Sequence, residues 1–332
     1  MQRNIFADRI KGYACFLVVF GHVIMGVRLS GVDIPKIFYG AEKFIWSFHV
    51  ALFLFMSGFV YSLTGERGRT KRAFLLHKLI NLGIPYITFS AVYIIINSFV
   101  PGVNTHSALS DILLIWKEPV AQYWFLYALF FLFLIWTVFS GFLKNWQITA
   151  LFTLVNFLVA AFNINLGIFT VSVNSAFAFG LGTFVSIAFA EKCGNLTKII
   201  VIALHIMLGA AAVRFNLTEA AGVKEVLIAA GIFASIMLIS AIEKNHIAAR
   251  VLDFLSRYSF QIYLLHTIFT AAVRILLIRV GITGWAVHVA VGCAAGIGFS
   301  WIAAWIAEKS RFLNFFFFPA ATVKKLHAEK GE

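Results

Sequence analysis

Asp8, Lys11 and His22 stand in and just before the first apolar stretch of the chain, at spacings that return to one side of a helix. At about 100° per residue, Asp8, Lys11, Cys15, Val19, His22 and Gly26 fall within about 80° of arc. That face reads acid, base, thiol, imidazole, glycine. An ionisable side chain is costly in hydrocarbon, so it turns towards a protein interior and usually has a task there. Lys11 and His22 are about 16 Å apart along the axis, so with Lys11 at the membrane boundary His22 lies near the midplane. An imidazole, with an ordinary pKa of about 6.5, suits general-base work on a weak nucleophile such as an alcohol hydroxyl. The plainer alternative is a histidine that hydrogen-bonds a neighbouring helix and packs, and the aligned stripe weighs against it. Asp8, about 21 Å from His22 along the axis, can orient Lys11 but cannot touch the imidazole.

The densest basic cluster follows the second apolar stretch, in Gly65-Glu66-Arg67-Gly68-Arg69-Thr70-Lys71-Arg72, with Lys78 beyond it. Arg69, Lys71 and Arg72 form a candidate anion site, because guanidinium binds phosphate in a two-pronged way. The alternative is a loop that only fixes membrane orientation. Weaker pocket candidates are His49 and Ser57 in the second stretch, Trp124 at the start of the fourth, and Tyr258 and His266 in the ninth. Ser57-Gly58 is also a small spot suited to close helix packing. Glycine-rich phosphate loops, H-E-x-x-H and G-x-S-x-G are absent. Cys15, Cys193 and Cys293 are isolated, without metal-ligand or disulfide spacing, so no metal is expected.

The elements that position these residues must be membrane helices. Of 332 residues, 61% are hydrophobic and 12% charged, and the mean hydropathy is +0.91. A soluble domain carries about a quarter of its residues charged, so soluble, disordered and coiled-coil classes are excluded. The apolar runs are continuous rather than alternating, which argues against a β-barrel. They cover about 13–29, 44–63, 79–100, 123–141, 147–169, 172–190, 196–213, 225–242, 258–280 and 284–307. Pro85 should kink the third. The expectation is an all-α polytopic bundle of about ten transmembrane helices. It forms a single domain over 1–332 with no fused soluble domain, and about 308–332 is a cytoplasmic basic tail. With ten spans both termini share a side, which holds 19 of the 27 Lys and Arg residues against 8 opposite. The positive-inside rule then makes both termini cytoplasmic. The net charge of +13 marks a basic face against anionic lipid and not nucleic-acid binding.

Together these residues resemble the membrane acyltransferase-3 family. Asp8-x-x-Lys11-Gly12 followed by Val18-Val19-Phe20-Gly21-His22 is similar to its opening, in which Arg or Lys, ten residues and then His occupy the first helix. Phe48-His49-Val50-Ala51-Leu52-Phe53-Leu54-Phe55-Met56-Ser57-Gly58 resembles its F-H-x-x-L-F-F-x-x-S-G run. Arg69-Thr70-Lys71-Arg72 matches its R-x-x-R motif, Trp124-Phe125-Leu126 its W-F-L element, and Tyr258 through His266 its late Y-S-x-x-I-Y-L-x-H. The motifs keep their order across most of the chain, with the flavour of fucose O-acetylases and exopolysaccharide O-acetyltransferases. The resemblance implies transfer of an acetyl group from acetyl-CoA, a co-substrate and not a bound cofactor, to a hydroxyl of a cell-surface or lipid-linked glycan in the bacterial inner membrane. In that reaction His22 would be the base, or would carry the acyl group briefly itself. Lys11 would hold a CoA phosphate or balance Asp8, which orients it, and Arg69, Lys71 and Arg72 would bind the CoA phosphates. Two features depart from the family: Lys11 stands where some members have Arg, and the soluble esterase-like domain that many members carry is not expected here. A secondary transporter or flippase of a small polar or glycan substrate stays open as the alternative, as does self-association.

Overall fold

The computed structural model describes residues 4–65, 68–142, 146–220 and 222–323; Arg67, Lys144 and the basic tail beyond 323 lie outside the described residues. The described residues are 81% helical and include no strand. The α-helices are α1 (Ile5–Leu29), α2 (Lys36–Trp46), α3 (His49–Thr64), α4 (Lys71–Lys78), α5 (Ile84–Phe99), α6 (Trp124–Val138), α7 (Trp146–Ala161), α8 (Thr170–Phe184), α9 (Phe189–Lys192), α10 (Asn195–Arg214), α11 (Val223–Ile242), α12 (His246–Arg257), α13 (Ser259–Arg279), α14 (Trp285–Lys309) and α15 (Arg311–Phe317). Nine stretches among the described residues are long and apolar enough to cross a bilayer. The protein is an all-α, multi-pass membrane bundle.

The fifth of the ten expected segments is the exception. It forms α7, 16 residues long, about 24 Å against a hydrocarbon core of about 30 Å. The helix stops at Ala161 because Asn163 takes a left-handed φ of 49°, and Asn165 then accepts from the Gly167 N–H and the Thr170 hydroxyl. Asparagine tolerates that conformation and bonds its local backbone, which ends a helix.

Two expected single spans are interrupted. In the second, helix breaks after Trp46 and resumes at His49, with Phe48 at φ −145°. In the third, Pro85 has no N–H for the Asn81 carbonyl, and Leu79–Gly83 forms a π turn before α5. The basic segment is also less loop-like than its composition suggests. Thr70 accepts from the Ala73 N–H and caps α4, so Lys71 and Arg72 lie in a helical first turn.

The chain divides into two compact units. Unit 1 comprises Met1–Ile24, Ile34–Gly65 and Phe139–Ser259. Glycine permits backbone contact between its helices. A Cβ at Gly12 would collide with the Leu252 carbonyl oxygen, one at Gly58 with that of Phe179, and one at Gly182 with that of Phe55. Arg9 ties α1 to α12 through Asp253 at 3.1 Å and reaches Glu243 at 3.5 Å.

Unit 2 comprises Met25–Asp33, Glu66–Val138 and Phe260–Glu332. The Tyr123 hydroxyl donates to the Leu264 carbonyl at 2.8 Å, the Tyr263 hydroxyl to that of Gln122 at 2.6 Å, and Gln122 to Thr267 at 2.7 Å. These bonds fasten α13 to the turn before α6. Phe317 packs on Phe89 with centroids 5.0 Å apart, and the Ala320 N–H donates to the Asn81 side chain beside the π turn.

Candidate active site

Within unit 1, α1 carries the first group of expected residues. Asp8 is buried and Lys11 Nζ lies 2.7 Å from its carboxylate, so the lysine is held against the helix one turn on. His22 projects three turns deeper. Its Nδ1 is 2.9 Å from the Val18 carbonyl oxygen. A carbonyl only accepts, so Nδ1 carries the hydrogen and Nε2 the basic lone pair.

The break between α2 and α3 builds the rest of the group. It leaves Trp46 at the end of one helix and His49 at the start of the next. The Trp46 ring sits 5.2 Å from the His22 ring and 5.4 Å from that of His49. His49 is 1% exposed, its Nδ1 donates to the Ile45 carbonyl at 2.8 Å, and its Nε2 is buried with no hydrogen-bond partner among the described residues. Glu42, also buried, stands one turn before Trp46, close enough for its charge to act on His22. The structure thus joins two expected residues, His22 and His49, to two that the sequence did not single out, Trp46 and Glu42.

The remaining expected residues of unit 1 are not part of this group. The Ser57 hydroxyl donates back to the Phe53 carbonyl at 2.8 Å. Tyr258 ends α12, its ring 5.3 Å from Phe254, with the Arg257 guanidinium over it. His205 was not anticipated: it is buried between Phe44 and Phe48, at 4.8 and 4.7 Å.

Unit 2 holds the others. Arg69 and Arg72 are exposed, and Lys71 reaches the Val138 carbonyl at 3.3 Å. Lys78 lies 3.8 Å from the centre of the Phe133 ring, a cation–π contact that holds a positive charge at the far end of α4. These charges surround a short helix whose amino end adds a partial positive charge, so the segment concentrates attraction for an anion. Trp124 opens α6 with its ring near Phe125. His266 is fully buried, and its Nδ1 lies 2.8 Å from the Ile262 carbonyl oxygen and 3.0 Å from that of Tyr263. It therefore has the same tautomer as His22 and His49. Among the described residues, no three His, Cys, Asp or Glu side chains converge as metal ligands do.

Glu42 and Trp46 carried a signal that the span boundary hid. With the second span begun at 44, Glu42 falls in a loop, where an acid is ordinary. With the helix begun at Lys36, Glu42-x-x-x-Trp46 becomes an i, i+4 pair inside a membrane segment.

No curated protein and no solved structure matches the chain. A family described as an acyltransferase domain matches residues 4–305, which take in every residue placed above from Asp8 to His266. The chain belongs to the acyltransferase-3 family and is a membrane acyltransferase.

Proposed function

We propose that this acyltransferase moves an acetyl group from acetyl-CoA to a hydroxyl of a cell-surface or lipid-linked glycan at the bacterial inner membrane, with His22 as general base. The observation that carries this reading is the hydrogen bond from His22 Nδ1 to the Val18 carbonyl. It holds the ring in the tautomer whose Nε2 can take a proton. In the reaction, the acceptor oxygen attacks the thioester carbonyl carbon as its proton passes to Nε2. The C–S bond then breaks and the proton returns from Nε2 to sulfur, leaving an acetate ester and CoA thiol. Glu42 steadies the imidazolium between these steps, and Trp46 holds the ring.

The donor carries about four negative charges, which cannot enter hydrocarbon unpaired. Arg69, Lys71 and Arg72 hold its phosphates at the cytoplasmic side, and Lys11, steadied by Asp8, receives the donor at the membrane boundary. His22 lies about 16 Å deeper along α1, a depth that the pantetheine arm spans. His49, Ser57, Trp124, Tyr258 and His266 are assigned to the acceptor. His49 has the strongest support, because its buried Nε2 has no hydrogen-bond partner among the described residues.

The test is acetyl transfer from labelled acetyl-CoA by the purified full chain, wild type against His22→Ala. Loss of about 10² to 10⁴ in rate is expected, with insertion and acetyl-CoA binding retained. Near-normal turnover in the variant removes His22 from the mechanism. No transfer by the wild type to any glycan overturns the glycan acceptor.

A further inference from the structure

Arg274 lies in the last turns of α13 and is 8% exposed. An arginine in a membrane helix normally pairs with an acid or with backbone carbonyls. Arg274 does neither: its Nε is buried without a partner, and it makes no hydrogen bond or ion pair among the described residues. Its position is nonetheless built. Gly26 gives it room, since a Cβ there would stand 2.6 Å from Nη1. Tyr93 of α5 is close enough to interact electrostatically with the guanidinium, and the buried Asn97 follows one turn later. The 100–108 segment closes this end of unit 2, with Asn104 donating to the Gly26 carbonyl at 3.1 Å and His106 Nδ1 at 3.3 Å from that of Asn97.

A charge with no partner adds nothing to folding, and an apolar side chain of similar size would serve the fold better. The group that best complements a planar, five-donor fork is an oxyanion, bound through two parallel N–H···O contacts. We propose that Arg274 binds an oxyanion of the acceptor, a phosphate or a carboxylate, at the end of unit 2 closed by the 100–108 segment. The acceptor is then acidic, either a phosphate-linked lipid carrier sugar or an acidic sugar. This rests on the glycan-acceptor reading above and narrows its substrate class. By the basic asymmetry of the sequence, this end of the unit is the outer one.

The test uses the purified full chain in nonionic detergent, as wild type, Arg274→Met and Arg274→Lys. Thermal melting is followed alone and with inorganic pyrophosphate, with glucuronate, or with phosphatidylglycerol. Without an anion, Arg274→Met should melt at or above the wild-type temperature. Wild type should gain a few degrees with pyrophosphate or glucuronate at saturation, Arg274→Lys less, and Arg274→Met nothing. A pyrophosphate response marks a phosphate-linked acceptor and a glucuronate response an acidic sugar. In acetyl transfer, Arg274→Met should raise the acceptor KM about tenfold or more and leave that for acetyl-CoA unchanged. Three outcomes overturn the proposal: Arg274→Met melting well below wild type without anion, which makes the arginine structural; no Arg274-dependent shift with any probe; or a shift with phosphatidylglycerol only, which assigns the site to bilayer lipid. Absence of acetyl transfer in wild type together with an Arg274-dependent shift sinks the acetyl-to-glycan reading and leaves the anion site standing.

Discussion

Arg69 and Arg72 flank the cap of a short helix, and neither is neutralised by an acid seen in the described residues. Such a cluster is unfavourable by itself, since basic side chains oppose the positive amino end of the helix. An incoming polyanion relieves both the mutual repulsion and the dipole. The double variant Arg69→Ala with Arg72→Ala should therefore weaken acetyl-CoA binding about tenfold or more and leave acceptor binding in place. Added salt should weaken the wild type in the same direction, because charges at an exposed mouth are screened. Calorimetry decides it, and unchanged affinity in the variant reduces the segment to an orientation signal. At this scale the sequence discloses what has a period. Lys11, His22 and His49 stand out because polar types recur on apolar helices. Arg274 does not, because a basic residue near a span end is also what an outer loop supplies, and the count of charges treats the two alike. Only the tertiary contact with Gly26 shows that it is inside.

Among the elements, α3 and α8 approach until backbone meets backbone, with Gly58 and Gly182 each facing a carbonyl of the other helix. Lipid chains are as apolar as leucine, so helices in a bilayer associate through such close packing. Gly58→Ala should cost about 1–3 kcal/mol, since the new methyl meets a carbonyl that can move only with its helix. Gly298→Ala, on α14 with nothing within 4 Å of the added methyl, should be neutral or stabilising by roughly 0.5–1 kcal/mol. Melting of the two purified variants separates them, and equal behaviour contradicts the packing argument. Ser57-Gly58 was readable as a packing spot from residue size alone. The partner helix was not, because small residues occur at many places in this chain. Pro85 announced a defect in the third span, yet whether it becomes a kink or a π turn depends on what takes up the released groups. Here the Asn81 side chain donates to the His77 carbonyl and receives the Ala320 N–H.

For the molecule as a whole, α7 sets the parity of the crossings. If this short helix spans, ten crossings put both termini in the cytoplasm, in keeping with the basic asymmetry; without it, nine put them on opposite sides. A reporter that fluoresces only in the cytoplasm, fused after Glu332, should give signal in a strain where the amino terminus is also cytoplasmic. A dark, well-inserted fusion means that α7 does not cross. Hydropathy found every long helix, because burial in lipid is a property of each segment alone. The division into two units, each drawn from three separated parts of the chain, left no trace in composition. It depends on which helices pair, and local periodicity does not encode that.

The hydrogen bond that sets the His22 tautomer has both ends on α1, four residues apart. It needs no other helix, so it forms as soon as this segment is helical. In a nascent chain the first helix to enter the bilayer thus already holds this imidazole in the tautomer whose Nε2 bears the lone pair, before any later helix has packed against it.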